Sequence, residues 1–406
     1  MKKIVLISSG QPSVNPRLVK EANALTKKGY DVTVIYSFWT NWAWEMDQQL
    51  FANVSWKPIL AGGSPYQNKL IYFWTKLRFK LVTLIANKLT FNFGIAEMAK
   101  GRASVELLQK AKSIKAHFYI AHNLAALPVA VKAAKYHKAK CGFDAEDFHR
   151  QEVADSPVDF TYRIASFLED KYLSQCAYTT AASPLIAEAY QHLYTQLNPI
   201  IINNLFEEKY IQNPKERVDG KLKLFWFSQT IGQNRGLEDV VEALNILDNE
   251  AIELHLLGNS SEESKDYFYN LLAKRRKQLY FYKPILPEEI FRFSAQFDIG
   301  LALELRSPSN RNICLTNKIF SYLTSGLAII ASDTAAQKAF VEENKGVGFV
   351  YKIGNTEELA SQIAYLFNNR VALRECKTKA AQLAIDKYNW EMESTKFLTI
   401  ISNKLG

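Results

Sequence analysis

Short apolar runs recur along the chain, each followed by a polar loop and then by a stretch with apolar positions three and four residues apart. KIVLIS (Lys3 to Ser8) leads into the loop GQPSVNPR, a helical pattern from Leu18 to Lys27, Gly29 and a second apolar run, DVTVIYS. This order of periods predicts a βαβ unit. The alternation returns at HFYIAH, at the helical LPVAVKAAKYHK, at KCGFDAED and at AYTTAAS, and IIINN (Ile200 to Asn204) reads as a last strand. A parallel sheet flanked by helices is the expected result, because parallel strands need helical crossovers to return the chain.

After a polar stretch from Glu207 to Lys221 the pattern restarts with KLFWFS, a loop, the helix GLEDVVEALNIL and the strand IELHLLG. It continues through QLYFYKP, PEEIFRFSAQF, IGLALEL, a helix from Asn317 to Ser325, GLAIIAS and GVGFVYK. The last segment, Ala380 to Lys404, is helical in pattern and contains KYNWE, whose aromatic pair could dock the tail on another surface. The expected division is a first Rossmann-like domain over residues 1–205, joined by the C-terminal helix 387–406, and a second over 206–386. A length of 406 residues fits two domains, being about twice what one core comfortably supports.

Composition narrows the class. Hydrophobic residues form 48% and charged residues 22%, with 17 Gly and 12 Pro dispersed, which excludes disordered and collagen-like chains. Cys141, Cys176, Cys314 and Cys376 lie far apart without CxxC or Cys/His ligand spacing, so neither a disulfide framework nor a zinc site is expected. The apolar stretch of MKKIVLISSG is too short for a signal peptide and reads as the first strand of a cytosolic domain.

The formal charge of +9 favours anionic partners: phosphates, acidic lipids or nucleic acid. No recognised nucleic-acid motif accompanies it, so nucleic acid is not expected. The most apolar stretch, Leu70 to Leu89, is broken by Lys76, Arg78, Lys80 and Lys88, which argues against a transmembrane helix. Residues 69–89 instead interleave Phe73, Trp74, Phe79 and leucines with cations, a pattern suited to an anionic membrane face, or to a helix packed on its domain with the cations in water.

Open parallel sheets bind ligands outside the carboxyl ends of their strands, so the polar loops there are the candidates for function. SQTIGQNRG stands between a strand and a helix whose first N–H groups attract phosphate, with Arg235 adding fixed positive charge. Lys318 opens another helix, a position that opposes the helix dipole unless a negative group is nearby. His122 follows a strand and either serves in chemistry or caps the strand end, and Glu146, Asp147 and His149 form a dense ionisable loop that is either catalytic or a surface ion cluster.

In these segments the chain resembles the family 4 glycosyltransferases, retaining enzymes of the GT-B fold, over nearly its whole length. The resemblance is carried by NPRLVKEANALTKKGYDVTVI in the first half. In the second half it is carried by FSQTIGQNRGLEDVVEAL, LHLLGN, PEEIFRFSAQFDIGLAL, NKIFSYLTSGLAIIASD and NTEELASQIAYLFNN, in order. It implies an α/β chain of two Rossmann-like domains facing across an interdomain cleft that binds a nucleotide sugar. Arg235 stands where the family has a phosphate-binding Lys before Gly236, Lys318 lies near the diphosphate, and Tyr282, Lys283 and Pro284 frame the base. The remaining donor-side candidates are Ser228, Thr230, Glu304, Asn310, Arg311, Asn317 and Ser321.

The loop holding Gln11, Asn15 and Arg17 is expected on the acceptor side. Glu146 takes the place of a family histidine that touches the transferred sugar, with Asp147 and His149 beside it and His122 as the other catalytic candidate. Neither metal nor cofactor is implied, since cations would neutralise the leaving diphosphate. The family commonly carries two glutamates eight residues apart, and an arginine five residues before the phosphate-binding Lys; here these positions are Ile313, Ser321 and Thr230. Either Glu304, Asn310, Arg311 and Asn317 replace the missing groups, or the chain has kept the fold and lost turnover.

The expected activity is retaining transfer from a nucleotide sugar to a glycan or lipid-linked acceptor in cell-surface polysaccharide or lipopolysaccharide synthesis. The expected location is the cytoplasm, peripheral on the inner membrane face. The alternatives are a non-catalytic sugar-nucleotide-binding or assembly protein of the same fold, and a sugar-nucleotide epimerase, which the absence of a convincing acid and base set disfavours.

Overall fold

The computed structural model describes residues 1–216, 219–272 and 278–405. The chain clusters into two compact units, the first formed by Met1–Asn203, Pro308–Asn310 and Ser394–Gly406, the second by Asn204–Ser307 and Arg311–Glu393. Both are α/β, and each is built on one parallel sheet.

The first sheet contains β1 (Lys3–Ser8), β2 (Asp31–Ser37), β3 (Lys57–Ala61), β4 (Phe118–His122), β5 (Lys140–Ala145), β6 (Tyr178–Ala181) and β7 (Ile200–Ile201). Their order is β3-β2-β1-β4-β5-β6-β7. The second contains β8 (Leu222–Thr230), β9 (Ile252–Asn259), β10 (Leu279–Tyr282), β11 (Ile299–Ala302), β12 (Ala328–Ser332) and β13 (Gly348–Tyr351), ordered β10-β9-β8-β11-β12-β13. Both are the doubly wound order in which the chain reverses direction beside its first strand, leaving a crevice at the strand ends.

Central strands of such sheets are covered on both faces, which is why they read as continuous apolar runs. Ile4 to Ile7 of β1 and Phe118 to Ala121 of β4 are wholly buried. The strand missed by sequence pattern, β3, carries Pro58, which an edge position tolerates because one side makes no ladder bonds. IIINN contributes only the two residues of β7, at the opposite edge. The tail forms two helices, Arg370–Asp386 and Trp390–Leu405, rather than one. The break between them buries Tyr388 and Trp390, and Tyr388 packs on Phe320 and Phe340, so the aromatic pair of KYNWE does dock.

In the second unit, aromatic rings place the helix Asn317–Thr324. Phe225 stacks on Phe297 at 4.5 Å, and the Tyr322 ring lies directly over Gly300, its hydroxyl donating to the Leu301 carbonyl at 2.9 Å. A Cβ on Gly300 would stand 2.2 Å from that ring. Lys318 is one turn earlier on the same helix face, so seating Tyr322 also fixes Lys318.

Gly300→Ala is therefore expected to destabilise the second unit by about 1–3 kcal/mol through overpacking. Thermal unfolding followed by calorimetry checks this; a melting profile identical to wild type would refute the close approach.

Candidate donor site and a buried charge network

In the second unit the chemistry collects past β8 and β11. The β8–β9 register shifts between Phe227 and Thr230, and beyond the shift Ser228 and Thr230 both accept from Arg235, each at 3.0 Å. Gly236, in the left-handed region at φ 76°, then turns the chain into the helix Leu237–Leu247. A Cβ there would meet the Leu303 carbonyl oxygen at 2.7 Å, so the turn holds the Arg235 backbone close to the end of β11.

Glu304 lies two residues past β11, its backbone carbonyl accepting from the Ser332 hydroxyl at 2.6 Å, and its carboxylate takes the Lys318 ammonium at 2.6 Å. Burial alone would raise the Glu304 pKa, but Lys318, Arg311 and Arg235 more than offset it and hold it below the usual carboxylate value. The negative partner expected for Lys318 in its first helical turn is thus Glu304. Among the described residues neither Arg235 nor Arg311 has a carboxylate within ion-pair distance. Three cations therefore share one carboxylate at the strand ends, a net positive field suited to a diphosphate.

The other donor-side candidates are dispersed. Asn317 is exposed and bonded to Asn204, Ser321 is buried within its helix, and Lys283 is exposed past β10 at the sheet edge. Tyr282 is held by His255 Nδ1 at 3.0 Å. Asn310 groups with the first unit, its amide donating to Asp147 at 2.7 Å and its oxygen accepting from the Phe148 N–H at 2.7 Å. Its side chain is spent on these two contacts.

In the first unit, β1, β4 and β5 bring Ser8, His122 and Asp144 into one row. The helix Pro16–Lys27 covers their ends with Arg17 and Glu21, which sit at the spacing of its apolar stripe Leu18, Ala22 and Leu25. Arg17 grips Asp144 through Nε and Nη2, the latter at 2.6 Å, and donates to the Ile202 carbonyl. Thr180 donates to the same carboxylate at 2.6 Å. His122, wholly buried, has Nε2 3.2 Å from Glu21, and Nδ1 3.4 Å from Asp144 and 3.3 Å from Glu146.

Burial would lower the His122 pKa, but Glu21, Asp144 and Glu146 raise it well above the ordinary histidine value. Burial likewise opposes the charge of Asp144, and Arg17 followed by His122 overcomes it, leaving its pKa depressed. Glu21, buried beside Asp144, is raised. Glu21, His122 and Asp144 offer ligand atoms within 4.8 Å of one another, as a metal site would. Arg17 already occupies both oxygens of Asp144, so a metal ion there would have to displace a buried guanidinium, and the group is better described as a self-neutralised ion network.

The loop candidates are largely consumed by this architecture. Gln11 is fully buried, donating to Asp47 at 2.8 Å and accepting from the Trp39 and Thr40 N–H groups, so it ties loops together rather than reaching an acceptor. Arg17 is equally buried. Asn15 caps its helix through Leu18 N–H and donates to Glu146 Oε1 at 2.6 Å. Glu146 retains 26% side-chain exposure, so it is the network carboxylate that meets solvent. Asp147 is raised by burial and by Glu152, while His149 is buried against Glu152 at 2.9 Å. Glu21 lies outside the strand-end loops that the sequence marks; an acid at core spacing in an amphipathic helix is the available signal for it.

Residues 222–369 match the family model described as Glycosyl transferases group 1. The matched segment contains Arg235, Glu304, Arg311 and Lys318. No curated protein matches the chain. Among solved structures it is similar to Anabaena Alr3699/HepE in complex with UDP, at 16% identity and TM-score 0.69, covering 99% of this chain and 100% of that one. It is also similar to sucrose-phosphate synthase from Thermosynechococcus elongatus, at 13% identity and TM-score 0.71 with 99% of each chain covered. A third similar structure is the lipopolysaccharide outer core galactosyltransferase WaaB in its apo form, at 11% identity and TM-score 0.61 with 99% of each chain covered. The fold is GT-B.

The network makes a pH prediction. His122 binds its proton more tightly folded than unfolded, so its contribution is complete below its unfolded value of about 6.5 and is lost as pH rises toward the raised folded value. Asp144 has the opposite sign, with stability present above about 3.9 and lost as pH falls below it. The urea midpoint should thus decline above about pH 6.5, and His122→Gln should flatten that decline while costing about 3–5 kcal/mol at neutral pH by leaving buried acids unpaired. Unfolding titrations between about pH 6 and 9 measure both.

Proposed function

We propose that the chain is a retaining glycosyltransferase of family 4 that moves a sugar from a nucleotide-sugar donor to a glycan or lipid-linked acceptor, on the cytoplasmic side of a membrane, in cell-surface polysaccharide or lipopolysaccharide assembly. The observation that carries this reading is the cluster of Arg235, Arg311 and Lys318 around Glu304 at the ends of β8 and β11, within the matched segment. Breaking a glycosidic bond to a nucleoside diphosphate releases negative charge on the diphosphate, and cations already fixed in place stabilise it most. Ser228 and Thr230 pre-orient the Arg235 guanidinium, and Glu304 pre-orients Lys318. In this reading these cations do the work of a divalent metal, and UDP is the first nucleotide to test because the similar HepE structure carries it.

Retention follows from attack on the same face that the leaving group departs, which needs no enzyme nucleophile. Glu146 is the residue proposed to meet the transferred sugar. Its Oε1 is fixed by Asn15 and His122, and it is the exposed end of the network. His122 is too deeply enclosed to touch a substrate and is read as a positioning residue for Glu146.

Calorimetric titration with UDP and GDP should give micromolar binding of one of them, unchanged by EDTA. Arg235→Ala/Lys318→Ala should weaken it by about 100-fold or more, the loss of two charge-assisted contacts. Binding of neither nucleotide would mean that the Thr230, Ile313 and Ser321 departures mark a lost donor site and would overturn the proposal.

Glu146→Gln should leave nucleotide affinity intact while lowering turnover by about 10²–10⁴-fold. Full activity in that variant would remove Glu146 from the reaction.

A further inference from the structure

The helix Lys69–Lys88 is amphipathic in the wrong sense for a globular domain. Its protein-facing side buries only Thr75, Val82 and Ala86, together with the half-buried Arg78, which pairs with Glu106 at 2.6 Å. Arg102 secures the same side, donating to the Gly62 carbonyl at 3.0 Å and lying 4.9 Å from the Tyr72 ring. The large apolar side chains point away. Leu70, Phe73, Trp74, Leu77, Leu81 and Leu84 are each more than half exposed, and their three- and four-residue spacing aligns them in one stripe. Isolated exposed leucines are ordinary, but a continuous apolar stripe of this length marks a surface that is covered in use.

Three features indicate what covers it. Lys69, Lys76 and Lys80 are exposed and follow one flank of the stripe, Lys88 is exposed at its end, and the helix contains no acidic residue. The connection after β2 packs on the inner side of the same helix, Phe38 lying edge-on to Tyr72 at 5.6 Å, and it exposes Trp39 and Trp42. Among the described residues no helix is long and apolar enough to cross a membrane. A stripe of Leu, Phe and Trp bordered by lysines is the pattern of a helix lying in the plane of a lipid interface. A second copy of the chain is a poorer occupant, because the helix has no acidic residue to meet the lysines of its copy.

We propose that the outward face of Lys69–Lys88 is an in-plane anchor for an anionic lipid surface. The proposal deepens the reading of a membrane-side transferase and rests on it only for its purpose, since lipid binding is measured without nucleotide or sugar. The full chain is floated with vesicles containing about one third phosphatidylglycerol, and with vesicles of phosphatidylcholine alone. Wild type should float with the anionic vesicles and lose binding as salt rises. Lys69→Glu/Lys76→Glu/Lys80→Glu should lower partition by on the order of 100-fold or more, and Trp74→Glu/Leu77→Glu should abolish it.

Melting temperature and nucleotide titration of both variants serve as controls that they are folded. Absence of wild-type flotation on anionic vesicles would overturn the anchor and leave the donor site untouched. So would wild-type partition in both folded variants. A wild-type dimer in solution that Trp74→Glu/Leu77→Glu converts to a monomer, without vesicle binding, would assign the face to a second copy instead.

Discussion

A parallel strand covered on both faces has nowhere to present polar chemistry except beyond its carboxyl end, and every group of interest in this protein obeys that constraint. Ser8 and His122 end their strands in register with Asp144, one residue before the end of β5, and Ser228, Thr230 and Glu304 stand in the last residues of β8 or just past β11. Because both sheets share the same winding, each brings the ends of its first and fourth strands together, and the polar groups gather there.

The two clusters solve opposite electrostatic problems. The first unit buries acids and bases in near balance, Arg17 and His122 against Glu21, Asp144 and Glu146, so that the charges neutralise one another and one carboxylate reaches water. Such a network stabilises less than its contacts suggest, yet removing any one member is costly because the rest are left uncompensated. The second unit is left unbalanced, with three cations around one carboxylate. That arrangement costs stability by repulsion and gains it back when an anion binds. A positioned but under-neutralised site is what charge-stabilised group transfer requires.

The helix Lys69–Lys88 illustrates how one pattern supports two outcomes until packing is known. Sequence showed aromatics and leucines interleaved with cations, which fits a lipid-facing helix and a packed one equally. Arg78, grouped by sequence with the surface cations, turns inward to Glu106 and Arg102 backs the same side, whereas Lys69, Lys76 and Lys80 stay outside. Local spacing cannot say which side of a helix with two apolar stripes meets the protein; the partner residues Glu106 and Arg102, about twenty to thirty positions away in sequence, decide it.

The sequence by itself determined the strands other than the edge strand β3, the restart after Glu207–Lys221, the helix that carries Lys318 and the likeness to glycosyltransferases, because periodicity and loop polarity are local properties. It also identified Arg235, Lys318 and Glu304 as neighbours of strand ends. Tertiary structure decided which polar side chains remain available. Gln11, Arg17 and Asn310 stand in loops or helix starts that look open in sequence, yet each is consumed by a partner far along the chain: Asp47, Asp144 and Asp147. Glu21, on a helix rather than in a loop, is part of the core of the charge network. Whether a polar atom is spent or free depends on long-range pairing and burial, and neither is encoded in the local alternation of apolar and polar residues.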